Sequence, residues 1–274
     1  MRFFLVPIST RRAFIYCRAP KTLKTGYLDR VTNKAADTWA SWERAEKGWK
    51  KRLVAYGQVI LQRIPYEEWG LKSIPPLNVS REIQEAQKQE KIDVMFPGNA
   101  IKAENVLGVL RKLGTERQEF HRNKMWWCLG LSPLTAPVAI IPLVPNIPFF
   151  YLIYRAWSHW RAWSGSKHLI HLLDLNLINL HAFPELEAFY SSRLLKAKVP
   201  TDSASSNKEE INNERSSSPA KEEAERLLLA TEDGQELGKI LQTPGIVIEV
   251  ERAVLQIRQK LKAEEELAKE KKDT

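Results

Sequence analysis

Residues 126–154 read WWCLGLSPLTAPVAIIPLVPNIPFFYLIY and contain no charged side chain, in a chain whose formal net charge is +9. Five prolines interrupt this apolar run: Pro133, Pro137, Pro142, Pro145 and Pro148. Because proline removes a backbone donor and clashes with the preceding turn, we do not expect one straight helix here. The run decides the fold class, since a long uncharged stretch requires either lipid or a protein core around it.

The length of the run selects between membrane arrangements. As a single helix it would extend about 43 Å, against a hydrocarbon core about 30 Å thick. Two complete spans would need about 40 residues, which is more than the run provides. We therefore predict a proline-broken, membrane-embedded segment that enters the bilayer and returns on the same side, in preference to a single span. The alternative is a buried element of a soluble domain, with the prolines in loops over its core.

The flanks of the run support a segment that returns to its starting side. ERQEFHRNK precedes it and RAWSHWRAWSGSK follows it, and both are basic, so the positive-inside tendency is met if both flanks face one compartment. Interfacial anchors are predicted at Trp126, Trp127, Trp157, Trp160 and Trp163. Broken backbone in lipid is stable only when other protein covers it. Self-association or inner-membrane protein partners are therefore expected.

The N-terminal segment, residues 1–26, permits two interpretations. It carries several basic residues and no acidic one, which is the composition of a mitochondrial presequence that is cleaved after import. RFFLVPI and AFIY are also rich in β-branched and aromatic residues and are separated by the polar STRR. That pattern predicts a short N-terminal β-hairpin that the mature protein keeps.

The remaining sequence predicts a mainly α fold, with amphipathic helices around the apolar segment. Apolar residues recur at three- and four-residue steps from Tyr27 to Ile64, and a short polar helix capped by Ser80 follows. Another helix leads into the run, and helical sequence after it is predicted to be interrupted near Gly165 and Pro184. The predicted organisation is an N-terminal segment 1–26, a helical domain 27–195, a disordered linker 199–224 and a helical tail 225–274. Within the tail, residues 246–262 present one apolar stripe.

Chemical motifs argue against an enzyme. The sequence lacks the glycine-rich phosphate loops, the HExxH zinc motif and a plausible nucleophile elbow. Its two cysteines match neither a disulfide framework nor a zinc ligand set, so no cofactor and no metal site are predicted. His168, His171 and Asp174 share one helical face but lack further clustered ligands. His159, between Arg155 and Arg161, is a candidate for a proton-linked role.

Three stretches resemble a known family. MRFFLVPIS, PLTAPVAIIPLVPNIPFFYLIYRAWSHWRAWSG and HLIHLL are similar to the fungal and eukaryotic mitochondrial K+/H+ exchange-related proteins, over roughly residues 1–195. The resemblance implies location in the mitochondrial inner membrane, and the positive-inside tendency of the basic flanks predicts that they face the matrix. It also implies participation in electroneutral exchange of K+ for H+, in potassium and volume homeostasis. It centres on PNIPFFYLIYRAWSHWRA and supplies no established functional residue.

The expected function is therefore a component or regulator of this exchange within a membrane complex, in contact with anionic lipid. The run contains no Asp, Glu, His or Lys for which K+ and H+ could compete, so one copy of the chain is not expected to be the whole exchanger. Alternatives are a basic mitochondrial adaptor that binds RNA or the ribosome, although no nucleic acid is expected, and a membrane scaffold without a transport role. Candidate functional positions are Pro145, Asn146, Pro148, Tyr154, Arg155, Trp157, His159, Trp160 and Arg161.

Overall fold

The computed structural model describes residues 1–18, 48, 51, 63–135, 147–198 and 225–270. Within these ranges the protein is mainly helical, with one four-stranded sheet. The helices are α1 Tyr66–Ser73, α2 Val79–Lys88, α3 Ala103–Thr115, α4 Gln118–Leu131, α5 Ile147–Asp174, α6 Pro184–Lys198, α7 Asp233–Ile240 and α8 Ile246–Glu270. The strands are β1 Arg2–Pro7, β2 Ala13–Arg18, β3 Ile92–Phe96 and β4 Ile178–Ala182.

The predicted N-terminal strand pair is confirmed. β1 and β2 consist almost entirely of apolar and aromatic residues, which favour strands, and they are joined by a turn in which Arg12 N donates to Ser9 Oγ at 2.9 Å. Phe3, Leu5 and Val6 are fully buried. In the sheet order β2-β1-β3-β4, the first strand therefore lies inside the sheet.

The chain divides into two compact units. The first contains residues Met1–Phe4, Ile15–Val94 and Leu107–Asn179, and the second contains Leu5–Phe14, Met95–Val106 and Leu180–Thr274. In the first unit, α3 and α4 lead into α5, and α1 and α4 both pack against α5. In the second unit, α7 and α8 pack together, and Ser9 pairs with Leu227 in an isolated antiparallel bridge.

Several predicted boundaries were wrong. The predicted interruption near Gly165 is absent, because this glycine lies within α5 where a side chain would collide with α1: a Cβ there would lie 2.1 Å from the Leu71 carbonyl oxygen. The predicted interruption near Pro184 is present, because β4 precedes this residue and Pro184 begins α6, which suits proline at a first helical turn. Helix α2 is capped by Asn78, whose side chain accepts from Arg81 N at 2.8 Å, and not by Ser80. β3 and β4 were not predicted, and β4 interrupts sequence that we expected to be helical.

Other predictions concern residues outside the described ranges. They include most of the long helix from Tyr27 to Ile64, the linker 199–224 and the centre of the apolar run, residues 136–146.

The predicted tail helix is present as α8 and continues to Glu270, with Val250, Val254 and Ile257 buried. Both cysteines are free thiols, Cys17 buried and Cys128 half-buried.

The two ends of the apolar run belong to an α4–α5 pair. Gly114, at the end of α3, faces Ile170, whereas His121 in α4 faces His159, so the chain before and after the run is antiparallel. The end of α4 and the start of α5 therefore lie at the same end of the pair. Among the described residues, no helix combines the length and the apolar character needed to cross a bilayer.

Candidate functional site

A buried ion pair between α1 and α5 forms the centre of the site. Arg155 donates from Nη1 to Glu68 Oε1 at 2.8 Å and from Nη2 to Oε2 at 3.2 Å, so the guanidinium binds both carboxylate oxygens. Ser158 Oγ also donates to Glu68 Oε1, at 2.5 Å. The Glu68 side chain is 1% exposed, and an ion pair removed from water to this extent needs such additional hydrogen bonds.

Two buried histidines extend this ion pair toward α4. His159 Nε2 lies 2.9 Å from Arg155 Nη2, and His159 Nδ1 lies 3.0 Å from His121 Nδ1. A guanidinium can only donate, so His159 Nε2 must accept and the proton of a neutral His159 lies on Nδ1. That proton is donated to His121 Nδ1, which places the proton of His121 on Nε2. Among the described residues, His121 Nε2 has no hydrogen-bond partner, although it is buried.

Burial and charge set the ionisation of these groups. Burial raises the pKa of Glu68, but the hydrogen bonds and charge of Arg155 together with the Ser158 hydrogen bond outweigh it, and the pKa lies below its usual value of 4.5. Burial lowers the pKa of both His121 and His159 to about 4, against the opposing charge of Glu68. Both imidazoles are therefore neutral near pH 7, and a sensor of near-neutral pH at His159 is not supported.

The ammonium group of Lys72 completes the buried polar cluster, by which we mean Glu68, Lys72, His121, Arg155, Ser158 and His159. Lys72 Nζ donates to Ser158 Oγ at 2.9 Å and lies 3.5 Å from the centroid of the Trp69 ring. The rings of Tyr154 and Trp157 are each 5.7 Å from the same nitrogen. Aromatic faces stabilise a desolvated cation, which explains how a lysine side chain can be buried here.

A second feature is an exposed apolar surface at the end of the α4–α5 pair. Trp126 and Trp127 expose about two thirds of their surface, at 64% and 66%, and Phe150 exposes 65%. We call this surface the hairpin tip; its exposed members are Trp126, Trp127, Leu129, Leu131, Leu134, Phe150, Tyr151 and Ile153. The exposed Arg122 and Lys124 precede it in α4. Large apolar side chains exposed in such number are typical of surfaces that contact lipid or protein.

The predicted functional residues fall into three groups. Arg155 and His159 belong to the buried polar cluster, and Tyr154 and Trp157 face Lys72. Arg161 donates to the Lys72 carbonyl oxygen at 3.2 Å, and Trp160 is half-buried. Pro148 is exposed near the start of α5, while Pro145 and Asn146 lie outside the described residues.

The five tryptophans predicted to be interfacial anchors differ in exposure. Trp126 and Trp127 are exposed at the hairpin tip, as interfacial anchors require, but Trp157, Trp160 and Trp163 are half-buried. Arg155 and Arg161 are likewise directed into the protein by their hydrogen bonds. The basic flank after the run therefore presents less charge to solvent than its sequence suggests.

The three residues that share a face near the end of α5 do not converge on a metal. His168 donates from Nδ1 to the Pro75 carbonyl oxygen at 2.7 Å, and its Nε2 lies 3.0 Å from Glu85 Oε1. Asp174 pairs with Arg111 at 2.8 Å.

Glu68, Lys72 and His121 were missed by the sequence interpretation. Glu68 and Lys72 lie in a proline-rich stretch that seemed only to interrupt helices, and His121 lies in a basic segment that looked solvated. One signal was present, because Glu68, Lys72 and Trp69 keep helical spacing beside the apolar Leu71 and Ile74. Polar side chains on an apolar helical face indicate buried pairing.

Comparison with known proteins places these elements in a family. The family model described as mitochondrial K+-H+ exchange-related matches residues 2–173, which include both the buried polar cluster and the hairpin tip. An uncharacterized protein of Schizosaccharomyces pombe is 30% identical over 144 residues, covering 52% of this chain and 62% of that protein. An uncharacterized protein of Saccharomyces cerevisiae is 30% identical over 165 residues, covering 50% and 52%. The chain thus spans about half to three fifths of these relatives, and no solved structure matches it significantly.

Proposed function

This chain belongs to the mitochondrial K+-H+ exchange-related family, and on that premise we propose that it is a component or regulator of K+/H+ exchange at the mitochondrial inner membrane. The observation that carries this proposal is the hairpin tip. It gives the matched region a surface suited to the membrane at which K+ and H+ would be exchanged.

The composition of the hairpin tip fits a bilayer interface. Trp126 and Trp127 expose large amphipathic rings, which are enriched where headgroups meet hydrocarbon. The exposed Arg122 and Lys124 lie immediately before them and would interact favourably with anionic headgroups. Both ends of the apolar run lie at one end of the α4–α5 pair. This arrangement fits a run that enters the bilayer from one side and returns to it better than a run that crosses the bilayer. We assign that side to the matrix.

A role within a complex fits better than a complete exchanger in one chain. Residues 126–154 contain no acidic, histidine or lysine side chain at which K+ and H+ could compete. The buried carboxylate of Glu68 is already neutralised by both nitrogens of Arg155. The ion path would therefore require further copies of this chain or other inner-membrane proteins.

The adaptor alternative finds less support. Binding of RNA or the ribosome by residues 155–163 would need exposed arginines and tryptophans for stacking and phosphate contacts. Arg155 and Arg161 are engaged within the protein, and Trp157, Trp160 and Trp163 are half-buried. A membrane scaffold without transport would also use the hairpin tip, so transport must be measured directly.

The test compares a hairpin-tip variant with a matched surface variant in mitochondria that lack the endogenous chain. W126S/W127S removes the two exposed tryptophan rings of the tip, whereas V79S/I83S removes exposed apolar side chains of α2, which are 72% and 50% exposed. We expect wild type and V79S/I83S to resist alkaline carbonate extraction and to support swelling in K+ acetate. W126S/W127S should be released and should swell at the rate of the deletion strain.

An added K+/H+ ionophore should restore swelling to W126S/W127S mitochondria, because only the exchange step is missing. Retention of W126S/W127S in the pellet with unchanged swelling would refute the role of the hairpin tip. Membrane attachment without any swelling difference between the deletion strain and wild type would instead identify a scaffold.

A further inference from the structure

We propose that Glu68, His121 and His159 form a binding site for a divalent transition metal ion of the Zn2+ class, and that this ion competes with the Arg155 guanidinium. The inference concerns the interior of the buried polar cluster and does not depend on the hairpin tip. It assigns ligands to a chain in which the sequence indicated no metal site.

The three side chains converge closely enough to share one ion. One ligand atom from each residue lies within 4.8 Å of those from the other two. The two histidine Nδ1 atoms are 3.0 Å apart, and His159 Nδ1 is 3.8 Å from Glu68 Oε2. Ligands about 2.1 Å from a tetrahedral ion are separated by about 3.4 Å, so small rotations of these side chains suffice.

The donor set is that of a transition metal site. Two imidazoles and one carboxylate bind Zn2+ in some enzymes and Fe2+ in others, leaving coordination positions for further ligands. Metal binding requires neutral imidazoles and an ionised carboxylate, and the environment of the cluster favours those forms. The side chains of Glu68, His121 and His159 are also held on three different helices, α1, α4 and α5, so binding would fasten these helices together.

Arg155 determines how the ion would bind. With Arg155 donating to Nε2, His159 carries its proton on Nδ1, the nitrogen that the metal needs. Binding through Nδ1 moves this proton to Nε2, which then faces the donor Nη2 of Arg155 at 2.9 Å. Two donors cannot share a hydrogen bond, so Arg155 must leave Nε2 when the metal binds. The positive charge of the ion would also repel the nearby cations Arg155 and Lys72, and this repulsion likewise favours the departure of Arg155 from His159.

The surroundings indicate an exchangeable site instead of a permanent structural one. A metal-binding histidine ordinarily donates its second nitrogen to a carboxylate or carbonyl oxygen, and losing such a partner weakens binding about 10- to 100-fold. His121 Nε2 has no such partner among the described residues, and the partner of His159 Nε2 is the donor Arg155. The site would therefore respond to the concentration of free metal ion.

The first experiment needs no substitution. Zn2+ is titrated into the purified full chain in detergent micelles, and the imidazole 15N resonances of its five histidines are followed by NMR. We expect the Nδ1 resonances of His121 and His159 to shift with saturation at one equivalent, while those of His168, His171 and His181 do not. Saturation without changes at His121 and His159, or no binding at micromolar Zn2+, would overturn the proposal.

Variants then test the ligands and the competitor by isothermal titration with Zn2+. H121Q should weaken binding at least about 10-fold, and the control H181Q, in the exposed part of β4, should bind as wild type. R155Q removes the competing donor, so it should bind Zn2+ about 10-fold more tightly and show the larger Zn2+-induced rise in Tm. Equal affinity of wild type and R155Q would refute the competition, and equal affinity of wild type and H121Q would refute the site.

Discussion

At the residue scale, Arg155 makes three contacts with two side chains, Glu68 and His159, and these contacts define one arrangement of protons in the buried polar cluster. It binds Glu68 through both guanidinium nitrogens and forces His159 to accept at Nε2. His159 then donates to His121. Protonation of His159 at Nε2 would place a new N–H opposite the N–H donor of Arg155. Protonation of His121 at Nδ1 would place a new N–H opposite the N–H that His159 carries on Nδ1. Either ionisation therefore breaks a buried hydrogen bond.

This arrangement predicts that acid destabilises the fold. Folding lowers the pKa of each histidine from its usual 6.5 to about 4. Between pH 4 and pH 6.5 the folded state therefore binds fewer protons than the unfolded state. Stability is then complete above about pH 6.5 and is lost as the pH falls toward 4. Glu68, whose pKa is lowered from 4.5, adds a loss below about pH 4.5. The charges acting on the pair are those of Glu68, Arg155, Arg117, Lys72 and Lys124.

We expect the free energy of unfolding to fall by roughly 2–4 kcal/mol between pH 7 and pH 5, or about 5–15 °C in Tm. Differential scanning fluorimetry with a chelator present would measure this. H121Q should show a smaller decrease than wild type, and H181Q should match wild type. A Tm independent of pH over this interval would mean that the two histidines are not neutral in the folded state.

Sequence analysis singled out two members of this cluster, Arg155 and His159, and missed Glu68, Lys72 and His121. Arg155 and His159 lie in a distinctive segment with aromatic neighbours, and their spacing places them on one face of α5. Glu68 and His121 come from distant segments, and no local pattern pairs a glutamate with a histidine across helices. Burial, which lowers the pKa of His159 to about 4, likewise depends on the packing of other helices against α5 and is not visible in the local sequence.

At the scale of the element, α5 organises the first unit. It begins with the exposed apolar residues of the hairpin tip, continues through Arg155 and His159, and ends with the buried Leu169, Leu172 and Leu173. Gly165 provides the surface on which α1 packs. The close approach of the two backbones is what brings Glu68 and Lys72 to the polar cluster.

Gly165→Ala should therefore destabilise the protein although alanine favours helices. The new methyl group would lie 2.1 Å from the Leu71 carbonyl oxygen, and a backbone atom cannot move aside as a flexible side chain can. We expect a loss of about 1–3 kcal/mol in a urea denaturation experiment. Gly108→Ala, in α3 and with no atom within 4 Å of the added Cβ, should be neutral or stabilising by up to about 1 kcal/mol. Equal stability of both variants would contradict the close packing of α1 on α5.

Elements with a strong local pattern were predicted, and elements set by tertiary contacts were not. The β1–β2 pair and the apolar stripe of α8 follow from composition and periodicity. β3 and β4 are five residues each, and sequence alone does not show that they extend a sheet begun by β1. Gly165 looked like a helix breaker, because its local preference conceals its packing against α1, whereas the interruption predicted near Pro184 is present as β4 and the start of α6.

At the scale of the whole molecule, the predicted C-terminal tail is part of the second unit. Residues 225–270 contact the β1–β2 turn, where Thr10 N donates to Arg226 O at 2.9 Å and Leu228 N donates to Ile8 O at 2.9 Å. Arg193 in α6 binds Asp233 and Glu236 at 2.9 and 2.7 Å. The fold thus continues well beyond residues 2–173, which the family model matches.

Deletion of residues 225–274 should therefore destabilise the N-terminal hairpin as well as remove the tail. We expect a decrease in Tm of roughly 10 °C or more, and faster amide hydrogen exchange in residues 8–12. A chain that ends at Glu270 keeps all of α8 and serves as the control. Unchanged exchange in the turn would indicate that the tail is an independent appendage.

The sheet order also constrains the route by which the protein is made. β1 is synthesised first, yet one of its neighbours is β3, which ends at Phe96, and the sheet is complete only after β4 at Ala182. During translation, or passage of an unfolded chain through a membrane, the aromatic residues of β1 remain without their β3 partner until Phe96 has emerged. Pairings between segments so distant form slowly and leave apolar strands open to aggregation. The protein should consequently depend on chaperones that hold its first residues during synthesis or import.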